Sequence, residues 1–144
     1  MTKFHRLTAD FAIAAQLNAA DIAYAAEEGF KLIVNNRPDG ESLGQPAGAE
    51  IEAAAAALGL GYCAIPFTGS PPPGAVAATA GLLEEARGPV LAYCRSGARS
   101  LTAWAMAQAL KGGYRPDELI ALAAKAGYDL SGARTALDRL FPVQ

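Results

Sequence analysis

The stretch from Gly88 to Leu110 constrains this chain more than any other, because it joins a short apolar run, a polar loop opened by a cysteine, and a series of strong helix formers. Pro89 to Tyr93 is apolar and bounded by Gly88, the pattern of a strand covered on both faces of an α/β sheet. Leu101 to Leu110 carries almost no turn chemistry, which predicts a helix starting at Arg99 or Ser100 and running to Gly112-Gly113. Cys94 therefore ends a strand and faces a helix N-terminus. The first turn of a helix offers free backbone N–H groups and a positive partial charge of about half a unit. With Arg95 and Arg99 beside it, a thiol so placed is expected to drop from an ordinary pKa of about 8.5 into the range of about 3.5 to 7.5. Gly97 permits the backbone bend that lets successive N–H groups converge on one anion. Free cysteines are commonly inert core residues. Two arginines, two serines and a glycine directly after Cys94 make a poor core, so the thiol reads as a nucleophile in an anion cradle.

The segment Cys94-Arg95-Ser96-Gly97-Ala98-Arg99-Ser100 resembles the active-site loop of rhodanese-type sulfurtransferases and, more distantly, that of cysteine-dependent phosphatases. Val34-Asn35-Asn36-Arg37-Pro38-Asp39-Gly40-Glu41 with Gln45-Pro46, followed by Tyr93-Cys94, is similar to the phosphatase-like domain of the beta-lactamase-hydrolase-like family. Nearly the whole chain fits that pattern. The resemblance implies a cysteine-phosphatase-like fold of the dual-specificity type, with Cys94 at the bottom of the pocket. It leaves the activity open between phosphatase and sulfurtransferase.

Two departures from the phosphatase pattern favour sulfur transfer. That pattern is His-Cys, five residues, Arg, then Ser or Thr, and the arginine clamps two phosphate oxygens with its planar fork. Here Arg99 follows after four residues, Ser100 stands where that arginine belongs, and Tyr93 replaces the histidine. A shorter cradle leaves less room for a tetrahedral phosphate than for a persulfide sulfur. Cleavage of a phosphate ester also calls for an acid to protonate the leaving group, whereas Pro66-Phe67-Thr68-Gly69-Ser70-Pro71-Pro72-Pro73-Gly74 has no carboxylate. Sulfite leaving thiosulfate needs no acid. Asp39 or Glu41 could still reach the site from the earlier loop.

The remaining features place this loop in a single domain spanning residues 1–144. With 52% hydrophobic and 18% charged residues, the chain is long enough for one core and too short for two. A net charge of −2 with evenly scattered Lys and Arg leaves no basic face for nucleic acid. Met1 to Leu17 does not make a signal peptide and no apolar run reaches about 18 residues, so a cytoplasmic protein without a membrane partner is expected. Cys63, Cys94 and His5 give no zinc spacing or disulfide framework, so neither metal nor cofactor is implied. Oligomeric state is open.

Taken in order, Phe4 to Leu7 and Phe11 to Ala15 read as paired short strands, and Asn18 as the N-cap of a helix that Gly29 stops, with Asp21 reaching back. Lys31 to Asn35 is a buried strand. Asn36 to Gly48 is a polar loop at its carboxyl end, where open α/β sheets bind ligands. Arg37 could add a third cation there, and Asp39 or Glu41 could pair with Arg95 or Arg99; the alternative is an Asx-type turn in which Asn35, Asn36 and Asp39 satisfy their own backbone. A helix over Ala49 to Leu58, a strand over Gly61 to Phe67, a stiff proline-rich loop and a helix over Ala75 to Arg87 precede the cysteine loop. Cys63 reads as core packing, with a resolving thiol as the functional alternative. Helices over Pro116 to Lys125 and Ser131 to Leu140 close the chain. The fold class is thus α/β, a central mostly parallel sheet of about four to five strands flanked by helices.

These features predict a sulfurtransferase: the Cys94 thiolate takes the outer sulfur of thiosulfate or a small persulfide and passes it to a thiol acceptor. Arg95, Ser96, Gly97, Ala98, Arg99 and Ser100 would bind the anionic donor, with Ser100 capping the helix and bonding the thiolate, and Arg37, Asp39 and Tyr93 as further candidates. The alternatives are a tyrosine- or dual-specificity-like phosphatase working through a Cys94 phospho-intermediate, and a non-catalytic anion- or persulfide-binding module.

Overall fold

Alternation along the strands decides which helices each side chain meets. In the computed structural model, which describes residues 1–142, β1 (His5–Thr8), β2 (Phe11–Ala14), β3 (Leu32–Asn35), β4 (Gly61–Ala64) and β5 (Val90–Tyr93) form one sheet in the order β1-β2-β5-β3-β4. β1 runs antiparallel to β2, and every other pairing is parallel. Successive residues of a strand point to opposite faces. Phe11, Ile13, Val34, Val90 and Ala92 accordingly join one buried cluster, while Ala12, Ala14, Ile33, Leu91 and Tyr93 join the other. Both faces are apolar because both are covered.

The second cluster is closed by Ile22 and Ala25 of α1 (Ala19–Glu27) and by Ile51 and Ala55 of α2 (Gly48–Ala57). The first is closed by α3 (Pro73–Glu85), α4 (Ala98–Lys111), α5 (Pro116–Lys125) and α6 (Arg134–Leu140). Trp104 of α4 is fully buried and stacks on Phe11, with centroids 5.4 Å apart and planes 17° from parallel. Removing so large a buried ring costs about 3–5 kcal/mol, so α4 is held firmly against the sheet. The opening helix is fixed locally: Asp21 N–H donates to Asn18 Oδ1 at 2.9 Å and Asn18 N–H donates to Asp21 Oδ2 at 2.9 Å, the reciprocal cap expected of that pair.

Several boundaries differ from expectation. β4 ends at Ala64, although Ile65 N–H still donates to the Asn35 carbonyl at 2.9 Å and Phe67 N–H to the Asn36 carbonyl at 3.4 Å, so the chain follows β3 past Pro66 without regular strand geometry. α4 begins at Ala98, ahead of Arg99 and Ser100, since Gly97 is its N-cap in a left-handed conformation with φ +96°. The last helix is preceded by a tight 3₁₀ turn over Ser131–Ala133. No helix among the described residues is long and apolar enough to cross a membrane.

Strand register positions the site. Tyr93, the last residue of β5, is aligned with Ala14 of β2 on one side and Asn35 of β3 on the other. The segments that follow these strands, carrying Gln16, Arg37 and Cys94, therefore leave the sheet at one edge.

Candidate active site

Cys94 is fully buried beneath the turn that follows it, its own N–H donating to the Ala14 carbonyl at 3.3 Å. The turn folds back so that Gly97 N–H donates to Cys94 Sγ at 3.1 Å. Only a residue tolerant of positive φ makes this bend without strain. The N–H groups at the start of α4 have no partner within the helix, and the Ala98 N–H makes only a long 3.4 Å contact with Ser96 Oγ. Those of Arg99 and Ser100 remain for an incoming anion.

Arg99, in the first turn of α4, is fixed on two sides. Its Nη1 donates to Glu41 Oε2 at 3.0 Å and to the Phe67 carbonyl at 2.9 Å, and its Nη2 donates to Glu41 Oε1 at 2.8 Å. A guanidinium carries five N–H donors in a planar fork. These bonds use the terminal end of the fork and leave Nε–H and the second Nη2–H, which share one edge, without partners among the described residues. The Glu41 carboxylate, and after it the Cys94 sulfur, hold the Arg99 pKa above its ordinary value. Arg99 thus sits beside the nucleophile with a bidentate edge open.

Glu41 is itself held. Arg37 Nε donates to Glu41 Oε1 at 3.0 Å, and the buried Arg37 side chain is completed by Gln16 Oε1 and Ser42 Oγ, each at 3.0 Å. Hydrogen bonds from Arg99, ahead of those from Arg37, pull the Glu41 carboxyl down to about 2. Arg37 therefore supports the site through Glu41 and offers no spare charge. Asp39 is elsewhere: its Oδ1 accepts from Gly48 N–H at 2.8 Å and caps α2. Asn35 Oδ1 takes the Arg37 N–H at 2.8 Å. The loop divides the two readings made of it, an Asx turn at Asn35 and a site carboxylate at Glu41.

The other expected residues fall out as follows. Arg95 and Ser96 are exposed on the turn. Ser100 lies inside the helix, not at its cap, and its buried hydroxyl has no partner among the described residues. Tyr93 points into the opposite core, where burial, and then Tyr62, push its phenol well above the ordinary range. It cannot charge as a histidine would. Cys63 is half-buried against the core and burial raises its thiol, which leaves it a poor nucleophile.

Residues that the sequence did not mark complete the surroundings. Tyr128, between α5 and α6, donates its hydroxyl to the Ser96 carbonyl at 2.9 Å. A groove of about 400 Å³ opens beside Arg99, walled by Gly69, Ser70 and Pro71 on one side and by Met106, Leu130 and Ala133 on the other. Asp129 reaches the same groove, its carboxyl held low by the Ser131 side chain and then its backbone N–H. No spacing or periodicity connects these positions to Cys94. A lone Tyr-Asp after Gly127 is indistinguishable from an ordinary helix-ending turn.

Residues 3–111 match the family model of the beta-lactamase hydrolase-like protein, phosphatase-like domain. The chain belongs to this family. A beta-lactamase hydrolase-like protein of Agrobacterium fabrum is 36% identical over 135 residues, which is 93% of this chain and 31% of that protein. The chain thus spans about three-tenths of the length of the curated relatives it matches. A solved structure from Neisseria meningitidis, described as a candidate phosphatase, is 35% identical with a TM-score of 0.82, covering 94% of this chain and 96% of that one. PTPMT1 in complex with PI(5)P superposes with a TM-score of 0.72 at 16% identity over 95% of this chain and 96% of that one, a likeness of fold.

These findings correct the expected activity. Sulfur transfer, the rhodanese-like enzyme class, and thiosulfate with a thiol acceptor are all displaced, since the similar family and the 35% identical structure are both described in phosphatase words. The loop-length argument failed because it treated residue count as cradle size. Arg99 is aimed by Glu41 and Phe67 from outside the loop, and the left-handed Gly97 lets the shorter turn close on Sγ.

Proposed function

We propose that this chain is a cysteine-dependent phosphatase acting on a phosphate monoester. The open Nε edge of Arg99 beside Cys94 carries this reading: a fork held from behind by Glu41 and Phe67 suits two oxygens of a phosphate. Free N–H groups of Arg99 and Ser100 and the unpartnered Ser100 hydroxyl supply further donors. In the first step the Cys94 thiolate attacks phosphorus; an S–P bond forms as the ester P–O bond breaks, and the leaving oxygen departs with the electron pair. In the second, water attacks phosphorus, the S–P bond breaks, the thiolate is restored and inorganic phosphate is released. Charge on the transferring group is met by positioned donors throughout. The groove beside Arg99, with apolar Met106, Leu130 and Ala133, fits an alcohol portion that is at least partly apolar.

The test is hydrolysis of p-nitrophenyl phosphate by the wild type and by Cys94→Ser. Vanadate-sensitive release of nitrophenol is expected from the wild type and none above background from the variant, with the two melting within a few degrees of each other. Equal rates would sink the covalent mechanism, and no hydrolysis of any aryl phosphate by the wild type would sink the phosphatase reading.

A further inference from the structure

Tyr128 lies outside the 3–111 segment that the family model matches, yet it touches the turn that holds the nucleophile. Its hydroxyl donates to the Ser96 carbonyl, and the N–H on Cys94 Sγ is that of Gly97. Carbonyl and N–H belong to the same peptide unit. The contacts therefore run in series, from phenol O–H through the Ser96–Gly97 peptide to sulfur. A hydrogen bond accepted at a carbonyl polarises the peptide and strengthens what its N–H donates. It also opposes rotation of that peptide plane, which would turn a carbonyl oxygen toward the sulfur.

We propose that Tyr128 is a positioning residue of the cradle, locking the Ser96–Gly97 peptide with its N–H on Cys94.

Two contacts hold the phenol for this task. Tyr128 N–H donates to the Ala123 carbonyl at 2.9 Å, tying the residue to the end of α5. His5 of β1 packs edge-on against the ring, with centroids 5.4 Å apart and planes 89° apart. A side chain at position 97 would collide with the hydroxyl, since an added Cβ would lie 2.4 Å from Tyr128 Oη, so glycine is required there by sterics as well as by its φ of +96°. Burial, and then the Cys94 charge, raise the Tyr128 phenol, which keeps it a neutral donor at any pH where the enzyme would work. The ionisable groups around this chain of contacts are His5 on the ring, and Arg99 with Glu41 behind it on the sulfur side. His5 is lowered by burial and then by Lys3, so it adds no charge at neutral pH.

Tyr128→Phe removes one oxygen and keeps the ring. Two measurements on the whole chain test it: the pH profile of Cys94 alkylation by iodoacetamide, and kcat and KM for p-nitrophenyl phosphate. Loss of one neutral hydrogen bond predicts an alkylation profile displaced upward by about half a pH unit and a kcat about three- to tenfold lower, with KM little changed. An alkylation profile that coincides with the wild type overturns the proposal, and so does an effect confined to KM, which would make Tyr128 a substrate contact. The turnover arm rests on the phosphatase reading, but the alkylation arm does not. A wild type without turnover sinks that reading while the alkylation comparison still judges Tyr128.

Discussion

Glu41→Gln is the substitution that separates two meanings of one ion pair. Glu41 binds both terminal nitrogens of Arg99 and also Arg37 Nε. Either the carboxylate prepares Arg99 for phosphate, or it occupies the charge that phosphate needs. The donor count favours preparation, because three Arg99 N–H groups are spent on Glu41 and Phe67 and the Nε edge is left. Glutamine keeps one acceptor oxygen, loses the charge, and turns an amide NH₂ toward an arginine nitrogen. Charge-assisted hydrogen bonds contribute about 1.5–3 kcal/mol each when shielded. The Arg99 and Glu41 side chains are 18% and 21% exposed, so solvent screening brings the loss to about 1–2 kcal/mol in all. In kcat/KM for p-nitrophenyl phosphate that is about 5- to 30-fold, with vanadate affinity falling in parallel. Tighter vanadate binding by Glu41→Gln would refute the reasoning, since it would show the carboxylate competing with the anion. The same pair carries a pH signature. Glu41 is held near 2 in the folded protein against an ordinary 4.5, so the unfolded chain takes up the proton first on acidification. Its stabilising contribution is complete above pH 4.5 and lost as pH falls toward 2. The melting temperatures of wild type and Glu41→Gln should converge across that window.

Leaving-group dependence follows from the same loops. With no carboxylate in Pro66–Gly74, Glu41 ionised in its ion pairs, Asp39 spent on α2 and the Asp129 carboxyl held low by Ser131, no described residue stands ready to protonate a departing alkoxide. A general acid contributes about 10²–10⁴ in rate; aryl phosphates should therefore outrun alkyl phosphates by at least about 100-fold in kcat/KM, and a flat series would point to an acid drawn from Asp129. Gly97→Ala combines a strained φ with a collision against Tyr128, at a cost of at least about 1–2 kcal/mol. Thermal melting should fall by about 2–8 °C and phosphatase turnover by more than the fold does; a variant with wild-type turnover would show that the turn needs no left-handed residue.

Much of the fold was legible because β3, β4 and β5 are short runs bounded by Gly, Pro or Asn, and because Asn18 with Asp21 writes out a helix start. One boundary failed where backbone conformation outweighed side-chain pattern, at the left-handed Gly97 before α4. In the site, Cys94 and Arg99 could be found from local order alone, since the strand, turn and helix are contiguous. Glu41 against Arg99 was visible only as one option among several. Choosing it over Asp39 required knowing that Asp39 lies within reach of Gly48 N–H, which depends on how the loop closes. Gln16 and Tyr128 were not legible at all, because register between β2 and β5 and the path after α5 bring them in from distant sequence.

The error over chemistry has the same origin. Counting residues between Cys94 and Arg99 measures the covalent path, whereas phosphate is recognised by where donors point. Three of the groups that set those directions lie outside the loop: Glu41 and the Phe67 carbonyl turn the guanidinium, and Tyr128 bears on the peptide whose N–H meets the sulfur. A cradle built this way can lose a residue from its own loop and still present a bidentate edge, provided the outside contacts are kept. Its vulnerability is correspondingly displaced. Substitutions at Glu41 and Tyr128, which never form a bond to phosphorus, should damage turnover more than substitution of the exposed Arg95 next to the nucleophile.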